Sequence, residues 1–149
     1  MTTQVEFDRS LLGKEIPSGP FQVTREVILD YCRAIGETSP LYTDEEAARK
    51  AGHLALLAPP AFCTIFASRV VLKDINLKFG RVRVHAGQAM ESLTPIVAGD
   101  VLTASTHLKD VYAKTGRSGM MVFIVWETVF TNQDGVRVAL AQESQSVRE

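Results

Sequence analysis

Between two helix-like segments lies GETSPLY, Gly36 to Tyr42, the stretch of this chain best equipped for acid/base chemistry. Glu37 offers a carboxylate that can take or give a proton, and Tyr42 a hydroxyl that can orient or protonate an oxygen. The chain holds three histidines, His53, His85 and His107. None is spaced from another, or from a cysteine, as metal ligands usually are, so no metal site and no cofactor are expected. His85, on a predicted strand in VRVHAGQ, reads first as a structural or interface histidine and second as a candidate for an acid/base pair. Cys32 and Cys63 sit far apart inside apolar segments, and they read as small core residues in a reducing compartment, not as a disulfide.

These residues must be held by a folded domain, and the composition supplies one. The 149 residues are 46% hydrophobic and 22% charged, which suits a single packed domain spanning 1–149. The formal net charge is −1 and no run of Lys or Arg stands out, so neither nucleic acid nor an anionic membrane is expected as a partner. The opening MTTQVEFDRS lacks the apolar run of a signal peptide, and no stretch reaches the roughly 18 apolar residues of a membrane span. A cytoplasmic location is the expectation.

The first third reads as helical. Thr24 can cap a helix over Arg25–Ile35 that Gly36 stops, and T-D-E-E from Thr43 reads as a capping box for a short helix ending at Gly52. Pro60 suits the first turn of a third helix, predicted from about Ala61 to Leu72, with Arg69 its only charge. A helix so apolar must be buried on most sides. Beyond Lys73 the texture changes to strands over 82–93, 101–112, 120–131 and 136–147, with an interruption at Gly87. Turns at V-A-G-D, K-T-G-R-S-G and N-Q-D-G separate them. An α+β layer follows, an antiparallel sheet carrying helices on one face or wrapped around the apolar helix.

A-I-G-E-T-S-P-L-Y-T-D at 34–44, A-A-R-K-A-G at 47–52, A-P-P-A-F at 58–62, V-H-A-G-Q at 84–88, P-I-V-A-G-D at 95–100 and N-Q-D-G at 132–135 occur in an order that resembles one family. The chain resembles the MaoC-like dehydratase/hydratase branch of the hot-dog fold, over roughly Leu12 to Val147. It is most similar to the dehydratase-type subunits of heterodimeric (3R)-hydroxyacyl-ACP dehydratases. The resemblance implies a sheet wrapped around a central helix. It also implies an acyl-CoA or acyl-ACP thioester as substrate, and a homodimer or a heterodimer with a catalytic MaoC-like subunit. Pro40, Leu41, Pro60 and Phe62 would line the substrate, although the residues themselves read Phe62, Ile65 and Phe66 first as core.

Hydrating a 2-enoyl thioester, or dehydrating a 3-hydroxyacyl thioester, needs an acid/base pair around one water and N–H donors for the developing enolate oxygen. Active members of the resembling family carry G-D-x-N-P-x-H on this loop; here the aligned residues run from Gly36 to Tyr42, with Glu37 for the aspartate and Tyr42 for the histidine. Histidine titrates near 6.5 and tyrosine near 10, a difference of about 5 kcal/mol against a tyrosine acting as base at neutral pH. Active relatives also place a His-Gly pair before the central helix, where this chain has Ala58-Pro59-Pro60, and proline has no N–H. The expectation is therefore a dehydratase subunit with a degenerate site that completes and shapes the acyl tunnel. Two alternatives stand beside it: an active homodimer using Glu37 with Tyr42 or His85, and a non-catalytic acyl-CoA-binding scaffold. A thioesterase would need a carboxylate on the central helix, and Ala61–Leu72 has none.

Overall fold

The computed structural model describes residues 4–149. Five antiparallel strands form one sheet in the order β1-β3-β4-β5-β2, with β1 at Ile16–Gln22, β2 at Val82–Ser92, β3 at Val101–Gly116, β4 at Gly119–Thr131 and β5 at Arg137–Arg148. Four short helices, α1 (Arg25–Ile35), α2 (Pro40–Thr43), α3 (Glu45–Lys50) and α4 (Thr64–Ala67), lie between β1 and β2 in the chain. Alternation along β3 and β4 places Leu102, Ala104, Thr106 and Leu108 on the same buried face as Phe130, Thr128 and Trp126. Two apolar clusters cover that face. One gathers Phe21, Ile28, Phe62, Phe66, Leu102 and Phe130 under α1 and α4. The other joins Leu11, Ile16, Ile75, Leu108, Ile124 and Trp126 at the opposite end of the strands.

The apolar central helix is shorter than predicted. Only Thr64–Ala67 is α-helical, and residues 68–81 form neither helix nor strand. The prolines start the segment with tight i→i+3 bonds, Phe62 N–H to the Pro59 carbonyl and Thr64 N–H to Ala61. At the other end Ser68 Oγ bonds the Ile65 carbonyl, and the Val71 N–H donates to Ser18 Oγ on β1 at 2.7 Å. That long-range bond replaces the helical one and draws the chain out along the sheet. Val71 and Leu72 are left exposed, while Ile75 enters the second cluster. The core is thus filled by a short helix and an extended segment where the sequence suggested one long helix.

Elsewhere α1 has the predicted bounds, with Thr24 Oγ1 accepting from the Val27 N–H and Gly36 left-handed at φ 71°. The capping box is displaced by one residue: Asp44 caps α3 through the Glu46 N–H, while Thr43 closes α2 and donates to the Ser39 carbonyl. α3 ends at Lys50, just before the expected Gly52. β1 was not foreseen, because Pro17 and Pro20 break its pattern; a strand with two prolines is tolerated at a sheet edge. The interruption at Gly87 is a bulge in the β2–β5 ladder. The β3–β4 loop is tighter than K-T-G-R-S-G suggested, since Gly116 pairs with Gly119 and only Arg117 and Ser118 make the turn.

Candidate functional site

The end of α1 builds the candidate loop. With Gly36 left-handed, its N–H reaches the Arg33 carbonyl and the Glu37 N–H reaches Cys32 at 2.9 Å, closing the helix and turning the chain outward. Glu37 Oε1 then accepts the Ser39 N–H at 2.9 Å, so its carboxylate caps the turn that starts α2. Pro40 occupies the first position of α2, where no N–H is needed. The Tyr42 N–H bonds the Ser39 carbonyl, and the Cys32 thiol lies 3.6 Å from the Tyr42 carbonyl, tying the loop back onto α1. Tyr42 is half-buried, its ring packed on the first cluster, and Leu41 is half-buried beside it.

Behind the loop the environment is apolar. Burial pushes the Cys63 thiol up to about 12. Burial also raises Cys32, helped by the Glu37 carboxylate. Tyr31 is raised by burial and then by the two thiols. Tyr31 packs edge-on against Phe62, ring centroids 5.6 Å apart, and Phe62 meets Phe66 in the same way at 5.4 Å. Phe62 is completely buried, whereas Pro60 is exposed. The approach to α4 offers few donors: the Ala58 N–H is spent on the Ile96 carbonyl at 2.8 Å, and Pro59 and Pro60 have none. The first N–H after them belongs to exposed Ala61.

His85 lies elsewhere. It stands on exposed β2 and, with Gln88, Glu143, Gln145, Thr64 and Ser68, lines a cavity of about 370 Å³ between the sheet and α4. Glu37 and Tyr42, on the loop after α1, are not part of that lining. Sequence reasoning missed Glu143 and Gln145; the signal was present in A-L-A-Q-E-S-Q, where the buried alanines of β5 give way to polar residues on the same face. Among the described residues no group of three or more His, Cys, Asp or Glu could hold a metal ion.

Sheet, helices and loop together define a hot-dog protein of the dehydratase/hydratase class. The chain belongs to the family described as "FAS1-like, dehydratase domain region", whose model matches residues 10–141. It is 33% identical over 143 residues to a UPF0336 protein of Saccharopolyspora erythraea, covering 92% of this chain and 88% of that one. A UPF0336 protein of Streptomyces coelicolor is 36% identical over 115 residues, covering 73% and 76%. Among solved structures, the C-terminally truncated HadBC (3R-hydroxyacyl-ACP dehydratase) complex of Mycobacterium tuberculosis superposes with a TM-score of 0.77 at 27% identity, over 93% of this chain and 98% of that one. The ChsH1–ChsH2 complex of the same organism gives 0.70 at 25%, over 89% and 84%.

Proposed function

We propose that this chain is a subunit of an (R)-specific enoyl-thioester hydratase or 3-hydroxyacyl-thioester dehydratase whose own catalytic loop is degenerate. The observation that carries the reading is the state of that loop. Its one carboxylate is engaged in capping Ser39, a tyrosine stands where the family's histidine would be, and the prolines before α4 remove N–H donors. The chain then contributes scaffold and tunnel wall while a second, MaoC-like chain supplies the acid and base. A cytoplasmic location and a single domain over 1–149 belong to the same reading.

The surface for such a partner is β2. It is a sheet edge of 11 residues bonded only to β5, and its side chains are mostly exposed on both faces, with Val82 and Val84 at 53% and 50%. A long exposed edge is a template for another strand. A two-fold or pseudo-two-fold axis there would run the partner's strand antiparallel, so the start of one β2 meets the end of the other. HadBC and ChsH1–ChsH2 are both complexes, which supports a two-chain assembly.

The purified chain alone is expected to hydrate crotonyl-CoA negligibly, and Glu37→Gln is expected to leave that rate unchanged. Robust turnover that falls with Glu37→Gln or His85→Ala would reject the degenerate-subunit reading in favour of an active homodimer. In that case His85 would act from across the β2 edge, since Glu37 does not line the cavity that holds His85.

A further inference from the structure

Lys and Arg are scattered along the sequence, yet the strand register gathers five of them at one end of the sheet. Lys114 pairs with Met121, whose neighbour Val122 pairs with Val147, and Arg148 next to it pairs with Val82. Lys114 and Arg148 therefore stand in one row with a single strand between them, about 10 Å apart. Arg83 lies one residue inward, Arg81 bonds the Arg148 carbonyl through its backbone N–H, and Arg117 sits at the tip of the β3–β4 turn. All five are exposed, and among the described residues none is in an ion pair. Lys114 is held over the stacked rings of Tyr112 and Phe123, 5.4 and 5.7 Å from their centroids, which presents its ammonium at the surface.

Among the described residues two acids accompany them: Glu149 follows Arg148, and exposed Glu6 accepts the Lys78 N–H on its carbonyl, next to the Gly80 turn that touches Arg148. With Lys78 beside Glu6, six of the chain's 16 Lys and Arg lie here against these two of its 17 Asp and Glu. A chain whose formal net charge is −1 thus carries an excess of positive charge at this end, which steers anionic partners. Arg83 projects from the opposite face of β2 to the row of Lys114 and Arg148, so the cations diverge. Divergent charges cannot converge on a single phosphate; they match an extended anionic protein surface.

We infer that this basic end is the docking surface for an acidic acyl carrier protein, serving the active site of the partner chain. The inference rests on the dehydratase-subunit reading and chooses the carrier protein over CoA as bearer of the thioester. The placement argues for the partner's site. Tyr42 packs on the cluster that contains Phe130, and Phe130 lies eight residues, or about 26 Å, along β4 from Val122 at the basic end. An antiparallel β2–β2 pairing sets the start of β2, with Arg81 and Arg83, beside the end of the partner's β2, where the partner's loop would lie.

Binding of fluorescently labelled crotonyl-loaded acyl carrier protein to the purified full chain, read by anisotropy at 50 mM and 300 mM salt, tests the inference. The parent is expected to bind, with Kd rising at least tenfold at the higher salt. Arg83→Glu/Lys114→Glu/Arg148→Glu should weaken binding at least tenfold at 50 mM salt. Arg117→Glu, an exposed turn residue that cannot unfold the sheet, should weaken it by a smaller, measurable factor. Crotonyl-CoA, competing in the same assay, should be insensitive to all of these changes. Absence of binding, binding indifferent to the four substitutions, or equal losses for CoA would overturn the docking surface. Because no turnover is read, such a failure leaves the dehydratase-subunit reading standing. Conversely, normal docking together with an inactive complex would reject that reading alone.

Discussion

At the scale of single residues, the loop that carries Glu37 and Tyr42 owes its shape to local backbone devices. The left-handed Gly36, the Glu37 cap on Ser39 and Pro40 opening α2 are all backbone devices that a catalytic aspartate or histidine does not require. The residues behind the loop make their own prediction. Cys63 is neutral in the fold up to about pH 12, whereas an unfolded thiol titrates from its ordinary value of 9.0. Its folded value is raised, so its contribution is intact below about pH 9; between 9 and 12 the unfolded state sheds a proton the native state keeps. Stability should fall there by on the order of 1.4 kcal/mol per pH unit from this group. Urea titrations from pH 8 to 11 should show Cys63→Ala losing that part of the slope, and identical slopes would contradict it.

At the scale of elements, the two turns V-A-G-D and N-Q-D-G were visible in the sequence, but the bond between them was not. Asp100 is buried, one carboxylate oxygen accepting the Val97 N–H at 3.0 Å and the other the Gln133 side-chain amide at 2.9 Å. Gln133 in turn accepts the Val101 N–H, so a single side chain locks the start of β3 to the β4–β5 turn. Asp100→Ala removes partners from both donors and should cost about 2–3 kcal/mol, seen as a lower denaturation midpoint with unchanged m-value. A second device lies between the two apolar clusters, where Thr106 and Thr128 share a buried hydroxyl bond of 2.8 Å. Thr128→Val alone should destabilise by about 1–2 kcal/mol, and adding Thr106→Val should recover part of that loss, because the orphaned hydroxyl is then gone. Additive losses in thermal unfolding would disprove the pairing. The helix expected over Ala61–Leu72 was misjudged for a related reason. Apolar composition identified a segment that must be covered, but the Val71–Ser18 bond that breaks its helical course joins residues 53 positions apart.

At the scale of the whole molecule, the open β2 edge and the basic end determine how the chain meets others. Val84→Asp adds a charge on the exposed edge without touching either cluster. Sedimentation velocity should show it shifting any two-chain species towards the single-chain mass, while its circular dichroism stays that of the parent. A two-chain mass that survives the substitution would place the interface elsewhere.

The order of elements and the identity of the loop were settled by local chemistry: a capping threonine, a stopping glycine, proline at a first helical position and alternation along four strands. Such signals act over a few residues, so the sequence by itself was enough to point to the hot-dog dehydratase class. What tertiary structure alone decided depends on contacts between distant residues. It made β1 a strand despite its prolines, shortened α4, and set His85 in a cavity with Glu143 and Gln145. It also collected Arg81, Arg83, Lys114, Arg117 and Arg148 at one end of the sheet. Pairing register and sheet order are set by the burial of a whole face at once, and no single stretch of sequence carries that sum.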